Sequence, residues 1–307
     1  MPKKRKISKK IGFLGMGAMG GIMVKHLVSD GYDVTGFDPD KKAAAAAGRA
    51  GVRIAGSAAD TVREAEVVCS SLPTTEAVRE AYLGGGGTLK AMRKGTVCFE
   101  HSTIPVRVAR EICAAAKKME IAFLDVPIQG SIPYLEKRQS SAMAGGDRRA
   151  LDNNSDVIKT YCKSVIHMGA TGNGLLMKLV SNHTMFCMHA GLAEGLAFGK
   201  KAGLDPEEIV GFFKGTPMAE LLDYKGDMMA RRDYTPGAKM DLCIKDLLIS
   251  TEEANRMGAS VPLGTATCQQ YVAAGALGHL KGDMNAVFEA YIQAMGERPK
   301  RGKGPAW

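Results

Sequence analysis

Lys178 and Asn182 stand four residues apart in the stretch Gly172-Asn173-Gly174-Leu175-Leu176-Met177-Lys178-Leu179-Val180-Ser181-Asn182. From about Leu175 to Ala202 apolar residues recur every three or four positions with few helix breakers. The spacing predicts one long helix with both polar side chains on one face, near its start. A helix N-terminus carries partial positive charge, which opposes a second positive charge and lowers a lysine's pKa. A lysine partly neutral near pH 7 can take or give a proton, and a nearby amide can orient it or a substrate oxygen. Taken alone, the pair fits a surface lysine and a capping amide at least as well. Its chemical weight comes from the remainder of the chain.

Ile11 to Leu14 is a short apolar run, followed at once by Gly15-Met16-Gly17-Ala18-Met19-Gly20 and then by a helix through Ile22 to Leu27. This is G-x-G-x-x-G between a strand and a helix. Gly15 permits the tight turn, Gly17 lets backbone approach a pyrophosphate, and Gly20 lets helix and strand pack closely. The helix start then offers N–H groups to the phosphates. A second strand, Asp33 to Phe37, ends in Asp38, 21 residues after Gly17. A carboxylate there accepts hydrogen bonds from an adenosine ribose and repels a 2′-phosphate, so NAD is expected in preference to NADP. Lys41 and Lys42 lie close by and weaken that preference.

The following segments alternate as a doubly wound α/β sheet requires. A helix covers Lys41 to Ala47, a strand Val67 to Ser70, a strand Thr96 to Phe99, a helix Pro105 to Lys118 and a strand Ile121 to Leu124. Residues just past strand ends line the ligand crevice of such sheets, which makes Leu72, Pro73, Ser102 and Thr103 candidate cofactor contacts. His101 precedes its loop tip and reads as a structural or exposed histidine rather than an acid or base. Asp125-Val126-Pro127-Ile128-Gln129-Gly130-Ser131 follows the last of these strands, and Gly130 would let backbone N–H groups face a carboxylate; an ordinary turn fits the same residues. Ser140 to Ala144 and Val165 to Met168 look like further strands. After Gly172 only helical periodicity appears, at about 206–214, 218–231, 241–257, 262–275 and 283–295. The division expected is a Rossmann-type domain over residues 11–171 and an all-helical domain over residues 172–296. Lys178 then falls at their boundary, where pockets concentrate. Lys245-Asp246, inside an amphipathic segment, has the look of a solvated face.

The chain has 307 residues, 45% apolar and 24% charged, ordinary for a globular protein of two domains. No apolar run reaches the roughly 18 residues of a membrane helix. The net charge of +9 suggests nucleic acid, but residues 1–10 hold six basic side chains and residues 297–303 a net +3, which accounts for all of it. Both ends, 1–10 and 297–307, read as solvated basic tails rather than a nucleic-acid surface, although Pro2-Lys3-Lys4-Arg5-Lys6 looks like a nuclear-import signal. The seven cysteines never form C-x-x-C. Spread through apolar segments, they fit buried free thiols in a reducing cytoplasm, with no disulfide framework and no metal site.

With these pieces in order, the chain resembles the β-hydroxyacid dehydrogenase family, the relatives of 3-hydroxyisobutyrate dehydrogenase, from Ile11 to Met295. The family's cofactor motif corresponds to Gly15 through Gly20 and its substrate motif, usually Asp-x-Pro-Val-Ser-Gly-Gly, to Asp125 through Ser131. Its motif Gly-x-Gly-x-x-x-Lys-x-x-x-Asn is Gly172, Gly174, Lys178 and Asn182, and its Lys-Asp pair is Lys245-Asp246. The resemblance implies NAD-linked oxidoreduction of a small hydroxy acid or its aldehyde or keto form. It implies Lys178 as general acid and base, Asn182 beside it, and substrate binding by Gln129, Gly130, Ser131 and Asp246. Lys245 would meet the cofactor, and the site would lie between the domains. It also implies a homodimer or homotetramer. Gln129 replaces the family's serine and Ser131 its second glycine. Leu135 and Arg138 stand where many members have Ala and Gly, and Ala238 where an aromatic residue is usual. A kept lysine in an altered pocket suggests familiar chemistry on an unusual substrate. Two alternatives are an imine reductase on the same architecture, whose members generally lack the lysine, and a non-catalytic dinucleotide-binding or chromatin-associated protein.

Overall fold

The structure, a computed structural model, describes residues 9–222 and 225–304. Contacts divide the chain into two units, Met1–Lys178 and Leu179–Trp307. In the first, β1 (Lys10–Leu14), α1 (Gly20–Asp30), β2 (Asp33–Phe37), α2 (Lys41–Arg49), β3 (Arg53–Ile54), α3 (Ala58–Val62), β4 (Val67–Ser70), α4 (Thr75–Leu83), β5 (Val97–Glu100), α5 (Val106–Lys118) and β6 (Ala122–Asp125) alternate along the chain. The six strands form a fully parallel sheet in the order β3-β2-β1-β4-β5-β6. Strands β4 and β5 are buried at every residue, as central parallel strands covered on both faces must be. The order reverses direction between β1 and β4, which opens the crevice in which such sheets bind ligands.

A second sheet follows from β7 (Ile128–Gln129), α6 (Ile132–Glu136), β8 (Ser140–Ala144), α7 (Arg148–Lys159) and β9 (Cys162–His167). β7 pairs antiparallel to β8, and β8 parallel to β9. A bridge between Asp125 and Gly145 joins the two sheets. Strands β3 and β7, two residues each, escape a periodicity reading because two residues show no alternation.

The 29-residue helix α8 (Asn173–Lys201) leads into the second unit. There α9 (Pro206–Lys214), α10 (Ala219–Leu222), α11 (Lys225–Ala230), α12 (Met240–Arg256), α13 (Pro262–Ala274) and α14 (Val287–Ala294) follow, with no strand among the described residues. Their core gathers Phe186, Leu196, Leu247, Tyr271 and Phe288. A buried ion pair fixes the approach to α12: Asp283 receives Lys225 Nζ at 2.8 Å and the N–H groups of Gly237 and Ala238 at 2.8 and 3.0 Å.

The C-terminal segment corrects the expectation of a solvated tail. The Lys300 N–H donates to the buried Glu289 at 2.6 Å, Lys300 Nζ to Arg232 O at 2.8 Å, and His279 Nε2 to Lys300 O at 2.8 Å. Gly302 and Gly304 donate to Leu277 O and Gly278 O, and Glu297 pairs with Lys200. At the other end Lys9 pairs with Asp156 at 2.9 Å and Lys10 opens β1; the run Pro2 to Lys6 lies outside the described residues. Deleting residues 299–307 is therefore expected to destabilise the protein by on the order of 3 kcal/mol, since the lost hydrogen bonds contribute roughly 0.5–1.5 kcal/mol each. Deleting residues 1–8 should leave turnover within about twofold. Thermal melts of the two truncations test this, and equal stability of parent and C-terminal deletion would contradict it.

Candidate active site

The glycine-rich turn is built by close contact. Gly15 has φ +82°, and a Cβ on Gly20 would come within 2.0 Å of Gly15 O, so both positions exclude any side chain. A Cβ on Gly17 would meet nothing within 4 Å, leaving its backbone open to a bulky group. The Met16 side chain turns into the core against Gly36, and its N–H donates to Asp38 Oδ2 at 2.6 Å. Asp38 Oδ1 accepts from the Asp40 N–H at 2.8 Å. Each carboxylate oxygen keeps a second lone pair, enough for a ribose diol. An approachable backbone at Gly17, a helix start behind it and an acceptor past β2 fit a dinucleotide. Asp38→Ser is expected to narrow a preference for NAD over NADP by roughly tenfold, about 1.4 kcal/mol. Steady-state kinetics with both cofactors test it, and equal use of both by the parent would overturn the assignment.

The loops past β4 and β5 are joined beneath by Glu100, which no local sequence pattern marks. Glu100, fully buried, accepts from Ser70 Oγ and from the Ser102 N–H, both at 2.7 Å, and Ser102 Oγ accepts from the Leu72 N–H at 2.7 Å. This braces Leu72 against Ser102 across the two loops, with Pro73 and Thr103 next to them in the chain. His101 is structural, as expected. Its Nδ1 donates to Val126 O at 2.7 Å and its Nε2 accepts from the Tyr161 hydroxyl at 3.0 Å. Burial lowers its pKa to about 4, against a smaller opposing effect of the Val126 carbonyl.

Asp125 is the other residue whose part was not legible. It ends β6, and its carboxylate accepts the N–H groups of Gly172 at 2.6 Å and Leu175 at 2.8 Å. It thus caps α8 from 50 residues away and sets where the first turns of that helix lie. Burial raises its pKa to about 6, although the N–H groups of Gly172 and Leu175 pull the other way. His101 and Asp125 oppose each other in acid. The depressed histidine loses stability for the fold as pH falls from about 6.5 to about 4, because the unfolded chain takes the proton first. The raised carboxyl gains stability as pH falls from about 6 to about 4, because the folded chain takes the proton first. Asp125→Asn should therefore become more destabilising relative to parent on acidification, and His101→Gln less so, each by on the order of 2 kcal/mol. Denaturant melts between pH 4 and 7 decide the signs.

On the first turns of α8, Lys178 is half-buried and its Nζ donates to Gln129 Oε1 at 3.2 Å. The next residues explain how Gln129 is held. Gly130 has φ +132°, and a Cβ there would lie 2.6 Å from Ser140 Oγ. Ser131 precedes α6, its carbonyl accepting from Tyr134 and Leu135. Farther along α8, in the helical unit, Asn182 is buried and its Nδ2 donates to Asp246 Oδ2 at 2.7 Å. Lys245 Nζ lies 3.3 Å from Asp246 Oδ1. Asp246 is buried, which corrects the solvated-face expectation for it. The Asn182 Oδ1 is buried with no hydrogen-bond partner among the described residues. Ala238 packs its methyl against the helical core, with its N–H on Asp283. Among the described residues no group of three His, Cys, Asp or Glu side chains could hold a metal ion, and no helix is long and apolar enough to cross a membrane. The seven cysteines are free thiols, five of them buried.

A parallel sheet with this turn and these rims, followed by a helical unit, defines a dinucleotide-dependent oxidoreductase. Residues 10–169 match the NAD binding domain of 6-phosphogluconate dehydrogenase, and residues 172–291 match the family described as NAD-binding of NADP-dependent 3-hydroxyisobutyrate dehydrogenase. The chain belongs to the β-hydroxyacid dehydrogenase family, among the relatives of 3-hydroxyisobutyrate dehydrogenase, and is an NAD-linked enzyme of that family. It is similar to the NAD-dependent L-serine dehydrogenase of Pseudomonas aeruginosa, at 30% identity over 94% of this chain and 100% of that one. It is likewise similar to the 2-(hydroxymethyl)glutarate dehydrogenase of Eubacterium barkeri, at 30% identity over 94% and 97%. The solved structure of the Mycobacterium tuberculosis 3-hydroxyisobutyrate dehydrogenase with L-serine aligns with a TM-score of 0.83 at 32% identity, covering 92% of this chain and 98% of that one.

Proposed function

We propose that the enzyme interconverts a small β-hydroxy acid and its aldehyde or keto form, with Lys178 as the proton donor and acceptor. The observation that carries this is the 3.2 Å contact of Lys178 Nζ with Gln129, which puts the one lysine of the early helix beside the segment assigned to the substrate. In oxidation, neutral Lys178 takes the hydroxyl proton as the carbon–hydrogen bond breaks, and in reduction the ammonium returns it. Bound NAD supplies the hydride acceptor, and its reduced form the donor. The Gly130 and Ser131 backbone holds the carboxylate, the Gln129 amide meets a further polar group of the substrate, Asn182 and Asp246 order the polar groups beyond the lysine, and Lys245 serves the cofactor.

The relatives that act on L-serine and on 2-(hydroxymethyl)glutarate support a β-hydroxy acid bearing a further polar group. A panel of such acids assayed with NAD tests it, and no turnover of any of them would refute it. Exposed Val180, Phe198, Phe212 and Leu263 support a homodimer or homotetramer formed through helical surfaces, measurable by light scattering. Free thiols support a reducing compartment such as the cytoplasm.

A further inference from the structure

We infer that Arg138 is a positioning residue that ties the substrate segment to the cofactor helix, an inference resting on the proposal that Gln129 to Ser131 bind the substrate. Arg138 closes the turn between α6 and β8 with φ +58°, a left-handed conformation that glycine adopts readily and an arginine does not. The chain keeps a strained arginine there, and all three guanidinium nitrogens donate to α1. Both terminal nitrogens fork onto the Asp30 carboxylate at 2.8 Å, and Nε donates to His26 Nδ1 at 3.2 Å. His26 Nε2 in turn donates to Leu135 O at 3.1 Å, which closes a ring from α1 back to α6.

His26 and Asp30 stand four apart on α1, the helix whose first turn is the glycine motif. The partner segment is short and internally braced. Leu135 is fully buried, the Tyr134 and Leu135 N–H groups hold Ser131 O, and Gly130 lies against Tyr134 and Ser140. A bidentate fork resists both rotation and sliding, which a point charge does not. With the fork in place, the substrate segment and the cofactor helix form one body. Without it, the segment keeps Leu135, the Lys178 contact on Gln129 and the two-residue pairing of β7 with β8, but loses its polar link to α1 through Asp30.

The experiment uses two variants of the full chain. Arg138→Gly removes the fork while accepting the φ, so its melting temperature should stay within a few degrees of parent. Asp30→Asn breaks the same fork without touching the turn. Amide hydrogen exchange of the protein without substrate is measured over residues 129–139, together with KM and kcat for L-serine and NAD binding by calorimetry. Both variants should exchange about tenfold faster over residues 129–131 and raise KM about fivefold or more, with kcat within twofold and NAD affinity unchanged. The double variant should be no worse than either single one. Unchanged exchange in both variants would overturn the tether, and faster exchange with unchanged KM would overturn its role in positioning substrate. If the parent turns over neither L-serine nor the other acids, the proposed function fails, while the exchange data still decide the tether.

Discussion

Lys178→Ala is expected to lower kcat by about 10²–10⁴-fold, the usual size of general acid–base assistance. The loss should fall on kcat and kcat/KM together, because the proton moves only as the transition state forms. NAD affinity should barely change, since the phosphates are assigned to the turn from Gly15 to Gly20 and not to α8. The fold should also survive: α8 is anchored at its start by Asp125 on the N–H groups of Gly172 and Leu175, and the half-buried lysine adds little to the core. The pH profile separates proton transfer from mere positioning. Parent oxidation should rise with pH as Lys178 loses its proton, and the alanine variant should lack that limb. A variant that kept most of its turnover on an accepted substrate, or kept the limb, would show that another group moves the proton.

The elements legible in the sequence were those whose evidence lies within a few residues. The turn from Gly15 to Gly20, the acidic residue past β2, and Lys178 four residues before Asn182 are local patterns, read from a strand end or a helical period. What escaped was chemistry assembled by the fold. Asp125 caps a helix 47 to 50 positions away, and Arg138 grips a residue 108 positions before it. Neither pairing leaves any periodic trace. Glu100 carries no local sign that it braces two loops. The C-terminal segment misled for the opposite reason: its basic composition fits a solvated tail, while its Gly302 and Gly304 backbone bonds to the Leu277–Gly278 turn depend only on shape. Asp246 shows the same limit, since a Lys-Asp pair on an amphipathic helix does not reveal which of the two is buried.

Gln129→Ser is expected to shift substrate preference by about 10–100-fold toward small hydroxy acids that lack a further polar group. The side chain does two things at once. Its Oε1 accepts from Lys178, so its amide N–H groups are the donors left to meet a substrate. A substrate with a second carboxylate, hydroxyl or amide satisfies those donors, and a simpler acid leaves them unpaired at a cost of roughly 1–3 kcal/mol. That cost is the discrimination, and it acts against the molecule that lacks the group. Serine is too short to reach the same place, so the penalty disappears along with the reward. Lys178 also loses the Gln129 acceptor in the variant, which should lower kcat somewhat for every substrate alike. The ratio of kcat/KM values between simple acids and acids with an added polar group is therefore the quantity to follow, because the common effect cancels. Efficient turnover of 3-hydroxyisobutyrate by the parent, with no change in that ratio for Gln129→Ser, would refute the pocket argument. Lys178 could still carry the proton in that case, since its place on α8 is set by Asp125 and not by the amide it meets.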